Sequence, residues 1–470
     1  MKLRFTAAIA LVILSVSAGC IVPVTQTQQS EPETAVPQAD INLTIGPATG
    51  AVIRPLLGVN IGPIPAGTDP ANADLTAAYQ GIGVNLIRTH DYYNALDMSV
   101  MYPDMTADPA LVQSYDFSRS DQVWRSITAG GFEPYFRLGD SYNNSTPPAN
   151  ATERSNWVKA SLEVLRHYRT GRWNGFNTPF RYVEIWNEPD NAQFWPRPRT
   201  PIEYFELYCD TALTIKNEFP ELKVGGPGVT PAGALTPQGK KWTQDFLAFV
   251  RQSNAPLDFF SWHMYSNSPQ QYAEAAAFYR SSLDARGFTQ TTKHITEWNT
   301  EIKRSQESSA DPVALRTGAK GAAILSACWI ELQNQSDMDV STFYRGPDPD
   351  IKAPTFYGLF YADGKPKSIA SAFSLWFKMS GYSTRLDIEM PQSSPLYVLA
   401  GRNGAVQAAL LIANPGSGPI TPLIGFSDGR QIGQISLYTV SGSNQQVQTG
   451  TLSSPALEIG AESVQLLIFD

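Results

Sequence analysis

The chain has 470 residues, 42% of them hydrophobic and 17% charged, which is enough to build one large core and a second, smaller one. A formal net charge of -8 without any Lys/Arg cluster excludes a nucleic-acid partner, because phosphate binding needs a basic face. Three cysteines and four scattered histidines, with no CxxC or HExxH, exclude a disulfide framework and a metal site of recognisable spacing, so neither metal nor cofactor is expected.

At the N-terminus, Lys2 and Arg4 precede an apolar run over residues 5–16 and the small residues Ser17, Ala18 and Gly19 before Cys20. Residues 1–20 thus have the three parts of an export signal. The small residues ahead of Cys20 resemble a bacterial lipoprotein box, which implies lipid attachment at Cys20. A plain cleavable signal and an N-terminal anchor helix are the alternatives, and all three export the protein. The expected location is the bacterial cell envelope, with membrane contact only through that anchor or signal, since no later apolar run is long enough to span a bilayer. Residues 21–40, rich in Pro, Thr and Gln, bury too little apolar surface to fold and read as a flexible tether.

Residues 41–382 alternate short β-rich runs with longer amphipathic stretches. The β-rich runs are 56–60, 84–89, 133–138, 182–186, 223–226, 259–263, 294–296 and 340–344. Helices are expected at 156–169, 204–219, 242–250, 271–283, 314–332 and 369–379. Eight strands alternating with helices predict a (β/α)8 TIM barrel of the α/β class. The competing doubly wound sheet usually carries a Gly-rich turn after its first strand, and no GxGxxG occurs here. Cys209 and Cys328 fall in helical stretches and read as two buried thiols. Beyond Gly381 the pattern changes to short alternating runs separated by Gly, Ser, Asn and Pro, which predicts an appended antiparallel β-sandwich over residues 383–470. Residues 41–50 offer that domain one further strand.

The chemistry gathers at strand ends, where a barrel of this kind builds its active site. The fourth run, Tyr182-Val-Glu-Ile-Trp186, is too apolar to face solvent and is halted by Pro189, leaving Glu188 at the rim of the sheet. Shielding by Trp186 and Trp195 would raise the pKa of Glu188 and make it a proton donor near neutral pH. Glu297 ends the seventh run, across the barrel mouth from Glu188. Two carboxylic acids facing each other across a cleft are what glycosidic bond hydrolysis requires.

His263 and Tyr265 share one strand face by the two-residue period, and Tyr265 is placed to orient Glu297. Glu184 reads as a barrel-interior partner of Arg88 or Arg137. His90 and His263 are candidate substrate contacts, with satisfied core histidines as the other reading. Trp195, Trp298 and Tyr344 are candidate sugar-stacking faces, with core packing the other reading.

Glu184-Ile-Trp-Asn-Glu-Pro-Asp190 followed by Phe194-Trp195, together with Asp258-Phe-Phe-Ser-Trp-His-Met-Tyr265, resembles glycoside hydrolase family 39 within the clan of retaining (β/α)8 glycosidases. That family includes β-xylosidases, α-L-iduronidases and bacterial exopolysaccharide hydrolases. The resemblance implies a retaining enzyme acting on a polysaccharide or oligosaccharide, with Glu188 as general acid/base and Glu297 as nucleophile. It also implies that Asn187 hydrogen-bonds the sugar 2-hydroxyl. The alternative is a catalytically silent carbohydrate-binding protein of the cell surface built on the same barrel, which fold alone does not exclude.

Overall fold

The computed structural model describes residues 39–64, 73–91, 94–301, 310–349, 357–404, 407–442, 447–452, 454 and 456–469. The expected signal, Cys20 and nearly all of the expected tether lie outside the described residues.

The first strand, β1 (Ile41–Val52), belongs to a C-terminal sheet. The next eight are β2 (Gly58–Asn60), β3 (Leu86–Arg88), β4 (Glu133–Leu138), β5 (Tyr182–Ile185), β6 (Lys223–Val229), β7 (Phe259–Tyr265), β8 (Thr292–Asn299) and β9 (Met338–Phe343). They pair in parallel in chain order and close into a barrel, β9 returning to β2. Each coincides with one of the eight expected runs.

The two-residue period of each strand sorts its side chains between two environments. Phe136, Val183, Val224, Phe260 and Ile295 join the core shared with the helices. Leu86, Tyr135, Tyr182, Phe259 and Val340 form a separate buried cluster. Two residues further along the same strands stand Arg88, Glu184 and Ser261, all fully buried. The barrel interior is therefore apolar at one level and ionic at the next, towards the C-terminal rim.

The helices follow their local signals. Helix Ala151–Thr170 starts at Asn150, whose side chain accepts from the Thr152 and Glu153 amides, and stops at Gly171 in the left-handed region (φ 76). Helix Pro201–Glu218 opens with a Thr200/Glu203 capping box and proline at its first position. The single helix expected over 314–332 is two, Ala310–Thr317 and Ala319–Gln333, because Gly318 adopts an extended conformation (ψ 174). Helix Ser120–Ala129 was not among the expected helices, although Val123, Trp124 and Ile127 give it a buried apolar face at helical spacing.

The C-terminal domain contains β10 (Thr384–Glu389), β11 (Tyr397–Asn403), β12 (Gln407–Asn414), β13 (Pro422–Phe426), β14 (Ile435–Val440), β15 (Gln448–Leu452) and β16 (Ser463–Phe469). With β1 they form one sheet in the order β13-β1-β10-β11-β12-β16-β14-β15. Its pairings are antiparallel except β1 with β13, which arrives from the opposite end of the chain. Alternation again gives two faces. Ala409, Leu411, Val464 and Leu466 join the barrel core through helices Ala319–Gln333 and Ser368–Ser380, while Leu410, Ile412, Leu467 and Phe469 pack with Leu43, Ile45 and Ile424. Cys209 and Cys328 are buried free thiols.

Candidate active site

Two local irregularities aim the carboxylic acids. After β5, Trp186 and Glu188 both take positive φ (76 and 46), a conformation that costs a bulky residue about 1 to 3 kcal/mol and must be held by its surroundings. The holding bonds are Trp186 N–H to Leu138 O (2.6 Å), Glu188 N–H to Gly228 O (3.0 Å) and Trp186 Nε1 to Phe194 O (3.1 Å). Gly228 itself takes a φ of 62, and a Cβ there would crowd Glu184 Oε1 and His263 Nε2 at 3.3 Å. The indole of Trp186 turns towards Trp157 and Trp195.

The second irregularity is a bulge in the β7–β8 pairing, where Trp262 faces Ile295 but His263 faces Glu297. Consecutive residues Thr296 and Glu297 consequently both reach interior partners, Thr296 Oγ1 donating to Glu184 Oε1 (2.9 Å) and Glu297 Oε1 accepting from Arg88 Nη1 (2.9 Å).

Arg88 is the hub of the ionic layer. Its guanidinium donates to Glu184 Oε2 (2.7 Å), Asn60 Oδ1 (3.0 Å), Asn187 Oδ1 (2.6 Å) and Glu297 Oε1 (2.9 Å). Tyr265 O–H donates to the other Glu297 oxygen at 2.6 Å. His263 Nδ1 lies 2.9 Å from Glu188 Oε1 and 3.5 Å from Glu297 Oε2. Asn191 Nδ2 donates to Glu188 Oε2 at 2.8 Å. Glu188 and Glu297 are 8% and 5% exposed, and an oxygen of each lies within 4.8 Å of the other and of a His263 nitrogen.

Burial dominates the electrostatics. It pushes the Glu297 carboxyl above its usual range; His263 and Arg88 pull the other way, and the charges of Glu188 and Asp91 add to the rise. Burial opposes ionisation of Glu184 too, but there Arg88 prevails and holds the carboxyl below the ordinary value. Desolvation, then the Glu188 charge, lift Asp190 to about 6. Burial followed by Arg88 and Arg137 keeps His90 neutral, and burial lowers His263 as well. A neutral His263 with Nδ1 against two carboxyls carries its hydrogen on that nitrogen.

The structure gathers Glu188, Glu297, Asn187, His263, Tyr265, His90 and Tyr344 at one place. His90 Nε2 is 3.3 Å from Glu297 Oε1, and Tyr344 O–H donates to Asp91 Oδ2 at 2.7 Å. The tryptophans fare differently. Trp298 is fully buried on the outer side of β8, one residue out of phase with Glu297, stacked 5.9 Å from Trp376 and edge-on to Phe343. Trp195, 6% exposed, packs edge-on to Trp186 and Tyr204 and donates to Thr200 O. Neither offers a ring face for stacking, so both expectations are corrected to core packing. Trp298→Ala is accordingly expected to cost about 3 to 5 kcal/mol of stability, measured by denaturant unfolding, as for other buried tryptophans.

Asn60, Asp91 and Asn191 received no role from the sequence. Asn191 was the most accessible of them, standing three residues beyond Glu188 in a turn closed by its N–H on Glu188 O, whereas Asn60 and Asp91 are defined only by barrel closure. Glu188, His263 and Glu297 also present three donor atoms in the manner of a metal site. A cation there would compete with Arg88 and Tyr265, which already engage both Glu297 oxygens, so the donor set suits a proton shared between carboxyls better than an ion.

The chain is thus a (β/α)8 barrel protein with a buried pair of carboxylic acids at the C-terminal ends of its strands, the place where barrel enzymes carry their chemistry. It belongs to glycosyl hydrolases family 39, whose sequence profile matches residues 61–344. A β-xylosidase of Geobacillus stearothermophilus is 26% identical over 350 residues, covering 62% of this chain and 66% of that enzyme. A second β-xylosidase, of Caldicellulosiruptor saccharolyticus, is 25% identical over 378 residues, covering 73% of this chain and 71% of that enzyme. A glucosidase from Croceicoccus marinus shares the fold, with a TM-score of 0.73 at 23% identity over 91% of this chain and 98% of that one.

Proposed function

We propose that the protein is a retaining glycoside hydrolase that cleaves a polysaccharide or oligosaccharide by double displacement. The observation that carries this reading is the close approach of the two carboxyl groups, one oxygen of Glu188 lying within 4.8 Å of one oxygen of Glu297. A retaining pair stands about 5 to 5.5 Å apart, whereas an inverting pair needs roughly 6.5 Å or more to admit a water between them.

Glu297 attacks the anomeric carbon while Glu188 protonates the departing oxygen; water then attacks the glycosyl ester, and Glu188 takes up its proton. Arg88 and Tyr265, donating to both Glu297 oxygens, favour the anion needed for attack. Asn187 has its Oδ1 committed to Arg88 and a buried Nδ2 without a partner, which suits donation to the sugar 2-hydroxyl.

Relatives that are β-xylosidases favour a neutral pyranoside as substrate, in β-xylosidase-like action or in degradation of an exopolysaccharide. The N-terminal sequence supports export and lipid attachment at Cys20. A silent glycan binder has no need of two carboxyl groups at this spacing.

The test is stereochemical. Proton NMR in the first minutes of hydrolysis should show the product with the anomeric configuration of the substrate; first-formed product of opposite configuration overturns the mechanism.

A pH experiment probes the same site. Glu297 must be ionised to attack, and its folded pKa is raised, so kcat/KM should fall on acidification at a pH above the ordinary glutamate range. Tyr265→Phe removes one of the two donors that favour the anion. The acid limb should therefore move further up, with kcat lowered roughly 10²-fold as for loss of one preorganised donor. Superimposable pH–rate profiles would remove Tyr265 from this role.

A further inference from the structure

The loop that follows β4 is tied down at nearly every residue. Ser141 Oγ donates to Asp97 Oδ1 (2.6 Å) and accepts from the Asp91 amide (3.1 Å). The Tyr142 amide donates to Asp91 Oδ1 (3.2 Å), and Asn144 Nδ2 donates to Asp97 Oδ2 (2.8 Å). Ser145 Oγ donates to Phe194 O (2.5 Å), and the Thr146 amide donates to Asp140 Oδ2 (2.8 Å). In the midst of this network the side chain of Tyr142 is 51% exposed. Its ring meets Phe194 edge-on at 6.2 Å, Phe194 lies 6.0 Å from His90, and His90 Nε2 is 3.3 Å from the Glu297 carboxyl. The ring therefore sits at the rim of the catalytic mouth, on the side of Phe194 and His90.

Ordering a loop costs about 1 to 2 kcal/mol per residue, and here the order is supplied by the backbone and by neighbouring polar groups. The Tyr142 ring does little of that work, since half of it faces water. Its position is fixed before any ligand arrives, so a ligand stacking on it spends little entropy in ordering it. Tyrosine suits this use: two χ angles, a broad apolar face and a hydroxyl at the wet end. The C–H face of a pyranose is the complementary surface.

We infer that Tyr142 is the platform of a second sugar-binding position, adjacent to the one between Glu188 and Glu297. The ligand is therefore at least a disaccharide unit of a glycan chain. This rests on the glycosidase reading above for the first position, but not on turnover.

The measurement compares Tyr142→Ala with wild type on xylotetraose and on β-xylosyl fluoride, whose leaving group is a single atom. The ratio of kcat/KM on the tetrasaccharide to that on the fluoride should fall about tenfold, carried by KM, and Tyr142→Trp should restore it. An unchanged ratio overturns the inference. A second arm uses the Glu297→Gln protein and calorimetric titration with xylotetraose and cellotetraose, where adding Tyr142→Ala should weaken binding about tenfold. If wild type turns over nothing while this arm shows the loss, the catalytic reading fails and Tyr142 stands. Equal affinities, or no binding of either tetrasaccharide, overturn the assignment of Tyr142.

Discussion

Glu297→Gln is expected to lower kcat by roughly 10⁴-fold or more on every substrate the enzyme accepts, because an amide cannot form the glycosyl ester on which the proposed double displacement depends. The substitution is nearly isosteric. Its oxygen can still accept from Arg88, as Oε1 does now at 2.9 Å, and the amide nitrogen would face the Tyr265 hydroxyl, which is able to accept. Arg88 keeps Glu184 at 2.7 Å, so the buried guanidinium is not left without a counter-charge. The thermal unfolding temperature should consequently change little while turnover is lost. A variant that retains activity within tenfold of wild type on an aryl glycoside would sink the assignment of Glu297 as nucleophile.

Glu188→Ala should split the two half-reactions. Proton donation matters most for a poor leaving group, so turnover of an alkyl glycoside or oligosaccharide should drop roughly 10²- to 10⁴-fold. An activated aryl glycoside needs no such help to form the glycosyl–Glu297 ester. Its hydrolysis then stalls at the second step, where water lacks a base, and a burst of phenol should precede a slow steady state. Azide requires no deprotonation and fits the space the carboxyl leaves, so added azide should restore steady-state turnover and give a glycosyl azide of retained configuration. The pH–rate profile should lose its alkaline limb at the same time. Failure of azide to accelerate turnover, with the burst also absent, would remove Glu188 as acid and base. One neighbour would respond too: Asp190, held at about 6 by burial and then by the charge of Glu188, should titrate lower in the variant.

Much of the barrel was legible because its signals are local. Runs of β-branched and aromatic residues between amphipathic stretches mark all eight strands, whereas the caps Asn150 and Thr200 open their helices at Ala151 and Pro201, ahead of the expected 156 and 204. Pro189 announced a strand ending short of Glu188, and β5 stops at Ile185. The misplaced tryptophans show where local reasoning fails. Trp298 sits beside Glu297 in sequence, yet strand alternation sends the two side chains to opposite sides of the barrel wall. Thr296 and Glu297 break that same alternation, and only the bulged register against β7 reveals it.

The sequence by itself determined the eight barrel strands, their order, and the two glutamates at strand ends, because hydrophobic period and proline act within a few positions of themselves. The tertiary structure alone decided that Arg88 binds Glu297 across 209 positions of chain and that an oxygen of Glu188 comes within 4.8 Å of one of Glu297. Those facts follow from closure of the barrel and from strained backbone at Trp186 and Glu188, which many distant contacts hold in place together and which no single stretch of sequence encodes.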